Sequence, residues 1–354
     1  DIEVANGITM EAQHISLTAK NNNVKVTGGT ITVKETVKAE AKNANVTGGT
    51  ISAKTVRAEA EKLAVSGGMI NASAVEATKT LEITGGTIQT GSGAGQVSAD
   101  SISMSNGMMG GNELLIKSNK DINQKGGQIS VDKVTLDAGN TINQTAGSIL
   151  AKDTVAKAGS DVKLASRTNK LQNVYVDAQH GSVTVVSAND AGDDLNVTTD
   201  GKVAKDLTIT NLKNGKANAV RFDKNLQAGG DITITNEEAN IEVADGTTME
   251  ARNVSLIAKN NTVKVNGGTV KAAESVNADA NDIIMSGGTL ISGTKTTLTA
   301  GNAINQTAGS LIAKNTVAKV NRGNVNLESR TNKLQNVSID AKNGSATIVN
   351  ANDA

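Results

Sequence analysis

The sequence predicts an all-β fold, a right-handed parallel β-helix with about 20 residues and three short strands per coil. Three observations predict it. A glycine-containing turn returns every 18 to 21 residues, the residues between turns alternate apolar and polar in short bursts, and the chain has no proline at all.

The turns come first because they set the period. Gly28-Gly29, Gly48-Gly49, Gly67-Gly68 and Gly85-Gly86 are flanked by Thr or Ser before and by Thr30, Thr50, Met69 and Thr87 after. The series continues through Asn106-Gly107, Gly126-Gly127 and Ala146-Gly147, and reappears at Gly267-Gly268, Gly287-Gly288 and Ala308-Gly309. A fixed period near 20 residues marks a solenoid.

Between turns the apolar residues fall at every second position. One period reads Val24, Val26, Gly28-Gly29, Ile31, Val33, Val37, Ala39, and the next Val46, Ile51, Ala53, Val56, Ala58. Such bursts are strands of three to five residues with one small apolar face. They are too short to hold a core as hairpins, but stacked on their equivalents they build continuous parallel sheets, right-handed by the chirality of parallel crossovers. The missing proline fits, because every interior strand must donate its N–H to a neighbouring coil.

A longer repeat supports the same unit. Ile2-Glu3-Val4-Ala5 returns as Ile241-Glu242-Val243-Ala244, an offset of 239, whereas Ile142-Asn143-Gln144-Thr145-Ala146-Gly147 returns at Ile304, an offset of 162. The second copy has lost about 77 residues, close to four whole coils, which is the only deletion that preserves stacking register. The organisation expected is one continuous β-helix over 1–354, with a long repeat 1–239 and a shortened copy 240–354. About 18 coils at a spacing near 4.8 Å predict a rod roughly 85 Å long. The chain opens on Asp1 in mid-pattern, and its last four residues match Ala188-Asn189-Asp190-Ala191, where the first copy continues, so a longer parent chain is expected.

Composition narrows the function classes. Lys plus Arg equals Asp plus Glu at 35 each, and Tyr175 and Phe222 are the only aromatics. A nucleic-acid binder needs a basic excess and usually stacking rings. No apolar run nears the roughly 18 residues that cross a bilayer, so no membrane insertion of this segment is expected. The absence of Cys excludes a disulfide scaffold and any thiolate metal site.

The coil texture of Ile142-Asn143-Gln144-Thr145-Ala146-Gly147-Ser148-Ile149, and of Leu171-Gln172-Asn173-Val174 followed by Gly181-Ser182-Val183-Thr184-Val185, resembles filamentous-haemagglutinin-type repeats. The resemblance covers essentially the whole chain. It implies a large exported adhesin of Gram-negative bacteria, threaded unfolded across the outer membrane and folded outside. The implied location is extracellular, at the bacterial cell surface. The family's amino-terminal secretion domain, carboxy-terminal β-barrel and toxin domain have no counterpart in this sequence.

Several individual residues bear on chemistry. Sugar-cleaving sites need paired carboxylates, but Glu35, Glu40, Glu59 and Glu61 are interspersed with Lys and Ala and read as outward charge pairs. His14 and His180 are replaced by Asn253 and Asn343 in the second copy, which favours surface positions. The densest acidic group, Asp190, Asp193 and Asp194, is the one calcium candidate, and it lacks EF-hand spacing. Thr30, Thr50 and Thr87 form a threonine row broken by Met69 and Met108, against an ice-binding array. Ser166 to Val174, repeated unchanged as Ser329 to Val337, reads as a structural corner, with a docking loop through Arg167, Asn169, Arg330 and Asn332 as the alternative.

The expectation is therefore a structural and adhesive rod of a secreted surface protein, with no catalytic residue and no cofactor. The alternatives are a carbohydrate-active enzyme or glycan-binding module on the same fold, and a self-assembling filament subunit. The partners expected are a host or neighbouring cell surface, glycans, or further copies joined end to end or laterally.

Overall fold

The computed structural model describes residues 1–188, 194–199, 201–213 and 218–351. The chain is a parallel β-solenoid of about 16 turns with roughly 21 residues per coil; strand makes up 72% of it, and the described residues include no helix. The expected 18 coils become about 16 because some coils are longer than the glycine period. Val183 pairs with Leu207 and Leu207 with Ile232, steps of 24 and 25 residues. The chain divides into two compact units, Asp1–Leu171 and Gln172–Ala354.

In the first unit the coils stack in register, like on like. Ile31 pairs with Ile51, Ile51 with Ile70, and Ile70 with Ile88, and the column continues through Met109, Ile129 and Ile149. A second column runs Val24, Ala44, Leu63, Leu81, Ile102, Ile122, Ile142, Val162. All of these side chains are buried, while the residues between them face outward. Burying each Ile or Leu contributes about 1.5–3 kcal/mol of transfer free energy. Elsewhere Ala39, Ala58 and Ala77 stack as a column of methyls. With Val, Ile, Leu, Met and Ala filling it, the core of the first unit is built without aromatics.

The second unit repeats the scheme. Val220, Ile241 and Val263 stack in one column and Phe222, Val243, Val265 and Met285 in the next. Phe222 is thus a core residue, and the bulkiest fully buried side chain.

The turn glycines also stack, and close approach is the main reason for them. Main-chain N–H groups after each turn donate to the glycine carbonyl one coil earlier, as Thr50 N to Gly29 O at 3.0 Å, Met69 N to Gly49 O at 3.0 Å and Thr87 N to Gly68 O at 2.9 Å. At Gly68 the φ is ordinary, yet a Cβ would lie 2.5 Å from Val46 Cγ1 and 2.8 Å from the Gly48 carbonyl. Gly49 carries both constraints, with φ of 72° and the Gly29 carbonyl where a Cβ would point.

Gly91 separates the two effects, since its φ is 81° but nothing lies within 4 Å of a built Cβ. Gly91→Ala is expected to lower stability by about 1 kcal/mol, from left-handed strain alone. Gly49→Ala is expected to lower it by about 2–4 kcal/mol, because backbone must also shift. Urea denaturation of the two variants checks the order, and equal losses would remove close approach as the cause.

Candidate functional site

Polar side chains are organised along the stack in three ways: corner acceptors, outward ion-pair ladders and buried amide cycles. At the corners a side-chain oxygen accepts a main-chain N–H from the next coil. In the first unit Asp1 Oδ1 accepts from Asn23 N at 2.9 Å, and Asp121 Oδ1 accepts from Thr141 N at 3.1 Å, Thr141 Oγ1 at 2.7 Å and Asn140 Nδ2 at 2.8 Å. In the second unit Asp206 accepts from Asp231 N at 2.9 Å, Asn253 from Ser275 N at 3.1 Å, and Asn240 from Thr262 N at 3.1 Å. Short Asp and Asn side chains suit this task because they reach a nearby N–H without a long flexible stem.

These bonds act on the carboxyl groups. The Thr141 hydroxyl, with help from Asn140 and against partial burial, holds Asp121 below its ordinary range. The Arg252 guanidinium does the same for Asp231, through bonds of 2.9 and 3.1 Å from Nε and Nη2.

The outward charges of the first unit pair across coils. Lys38 reaches Glu59 at 2.8 Å, Lys62 reaches Glu82 at 2.9 Å, and Lys54 reaches Glu35 at 3.5 Å. The Lys38 hydrogen bond lowers the Glu59 pKa. Such exposed pairs are screened by solvent and contribute little to stability. The row Thr9, Thr30, Thr50, Met69, Thr87, Met108 lies in register, with both methionines exposed within it.

The repeated Ser-Arg-Thr-Asn-Lys segment turns inward. Asn169 is fully buried; its Nδ2 donates to Gln144 Oε1 at 2.7 Å and its Oδ1 accepts from Gln144 Nε2 at 2.8 Å and from Ile149 N at 2.9 Å. Asn332, Gln306 and Leu311 N reproduce the cycle with three bonds of 2.8 Å. Thr168 Oγ1 and Thr331 Oγ1 cap the carbonyls of Gly147 and Gly309 at 2.7 and 2.8 Å. As contacts for a partner, Asn169 and Asn332 are therefore inaccessible, whereas Arg167 and Arg330 are exposed.

Asp194 accepts from Ala219 N at 3.0 Å as another corner acceptor, and Asp190 and Asp193 lie outside the described residues. Among the described residues no group of three or more His, Asp or Glu could hold a metal ion. His14 and His180 are exposed.

A surface depression of about 460 Å³ lies in the second unit against Lys202, Gln227, Gly229, Glu250, Arg252 and Ala273. Lys202, Gln227, Glu250 and Lys271 form one outward row in register. Its carboxylate is engaged, since Lys271 Nζ donates to Glu250 Oε1 at 2.8 Å, and Arg252 is held by Asp231. Of the carboxylates beside this depression, Glu250 and Asp231 are each held by a cation.

Among the described residues no helix is long and apolar enough to cross a membrane. No family model, curated protein or solved structure matches the chain.

The amide cycles are not apparent from the sequence, where Gln144 reads only as coil texture. The available signal is a Gln at an inward position of the alternation, two residues after Ile142, recurring as Gln306 after Ile304.

Asn169→Leu is expected to destabilise by about 2–4 kcal/mol, since it strands the Ile149 N–H and the Gln144 amide. Adding Gln144→Leu should lose less than the sum of the single losses, which a double-mutant cycle in denaturant measures; strict additivity would dissolve the cycle. Because folding lowers the Asp121 pKa, its contribution is present above the ordinary value of 3.8 and is lost as pH falls below it. Asp121→Asn should therefore be less stable than the parent at pH 7, by no more than about 1 kcal/mol at this solvent-screened site, with the gap closing as pH falls below 3.8. Thermal melts across pH read it, and a constant gap would refute the linkage.

Proposed function

We propose that the chain is a structural, adhesive segment of a large exported surface protein, similar to filamentous-haemagglutinin-type adhesins. In this reading the solenoid is right-handed with three short strands per coil, and it carries a binding region away from a bacterial cell. The observation that carries the proposal is the in-register stacking of whole coils, with outward charges of the first unit paired from coil to coil. Folding by addition of one coil to the last uses mostly local contacts, which suits export through a pore ahead of folding.

The depression beside Lys202 and Gln227 favours a second reading, a non-catalytic glycan contact on the same surface. Polar rows on a solenoid are suited to extended ligands.

The test is surface labelling of intact source cells with an antibody to this segment, together with adherence of cells carrying or lacking it. Labelling without lysis and a several-fold loss of adherence on deletion are expected. Antigen reached only after lysis, or turnover of polysaccharide by the purified chain, would sink the proposal.

A further inference from the structure

The formal net charge of zero conceals an uneven distribution within the second unit. Residues 223–282 carry ten acidic and five basic side chains, a balance of −5. Residues 283–351 carry seven basic and two acidic ones, a balance of +5. Both stretches lie wholly among the described residues, and at roughly 21 residues per coil each makes about three coils. Since coils stack in sequence order, the asymmetry becomes a separation of charge along the axis of the unit.

Pairing inside the unit does not remove it. The ion pairs formed in the acidic stretch, such as Arg252 with Asp231 and Lys271 with Glu250, use its few cations and leave Asp223, Asp245 and Glu274 exposed without an ion-pair partner among the described residues. In the basic stretch Lys295, Lys314, Lys319 and Arg322 are exposed and likewise form no ion pair among the described residues. Lys319 stands in register with Asp340, so one cation of the four has a carboxylate on the neighbouring coil.

Distance decides whether the two stretches neutralise one another. Their centres are about three coils apart, roughly 15 Å at the spacing of parallel strands. The Debye length at physiological salt is about 8 Å. Each stretch therefore presents its own potential to a neighbouring molecule.

We propose that the second unit binds a second copy of the chain side by side and antiparallel, with the basic coils of each copy against the acidic coils of the other. A two-fold axis satisfies both contacts at once, so the pair is self-complementary and closed. A parallel, in-register pair would set like charge against like and is disfavoured by the same distribution. The proposal does not depend on an adhesive role, so failure of adherence leaves it standing, and its own failure leaves the adhesive reading untouched.

Sedimentation of the full chain at low and high ionic strength tests it, where the Debye length is about 30 Å near 0.01 M and about 3 Å near 1 M. The mass should move from 36.0 kDa toward twice that value at low salt. Association should weaken at least about tenfold at high salt. A basic-to-acidic set (Lys295→Glu, Lys314→Glu, Lys319→Glu, Arg322→Glu) and an acidic-to-basic set (Asp223→Lys, Asp245→Lys, Glu274→Lys) should each be monomeric alone and associate when mixed. Circular dichroism confirms that each set is folded. If the reversed basic set does not fold, Lys→Gln at the three lysines should still weaken association severalfold. A parent chain that is monomeric at both salts overturns the proposal, as does a dimer that survives charge reversal. A monomer that instead binds poly-glutamate also overturns it, by assigning the basic coils to a different acidic partner.

Discussion

Every coil of this protein depends on one constraint: a main-chain N–H must find an acceptor in an adjacent coil. Parallel strands satisfy it along their length. The Gly carbonyls at the turns extend the same ladder through the bend, as Thr50, Met69 and Thr87 show. Where a corner leaves an N–H to be satisfied, a side chain supplies the oxygen, as with Asp121 and Asn253. Where the turn glycines give way to the Ser-Arg-Thr-Asn-Lys segment, Asn169 and Asn332 supply it from inside the core. Hydrophobic columns add most of the favourable burial, but the ladder dictates which residues are permitted. It excludes proline, keeps turn residues small and places Asp and Asn at bends.

This explains how much was legible in the sequence. Glycine spacing and the alternation Ile31, Val33, Val37, Ala39 pointed to the solenoid directly, because period and burial are both local patterns. The long coils around Leu207 and Ile232 were not legible, since Gly229-Gly230 lies over Ala204 and Lys205 and not over another glycine pair, which interrupts the period. The role of Asn169 was half legible: an unchanged repeat suggested a corner, but only packing shows that its amide faces Gln144. The corner acceptors were invisible for another reason. Asp and Asn are common in any loop, and their partner lies one coil away in a sequence whose coil length varies.

The same ladder weighs on function. Surface side chains recur at nearly fixed vertical intervals, so opposite charges can meet across coils and satisfy each other, as Lys38 does with Glu59 and Lys62 with Glu82. Convergence of several unpaired groups on one point demands a departure from that periodicity. The depression beside Lys202 is such a departure, and even there Glu250 and Asp231 are held by Lys271 and Arg252.

The buried amide cycles have a mechanical consequence. Each joins a later coil to an earlier one through side chains enclosed by the core, so those coils cannot come apart strand by strand. Under tension a uniform stack sheds its turns progressively, each separation costing about as much as the last. The cycles at Gln144–Asn169 and Gln306–Asn332 act as ratchet points, where several bonds must break together before peeling resumes. Two latches of matching geometry, one in each unit, divide the chain's resistance to pulling into stages.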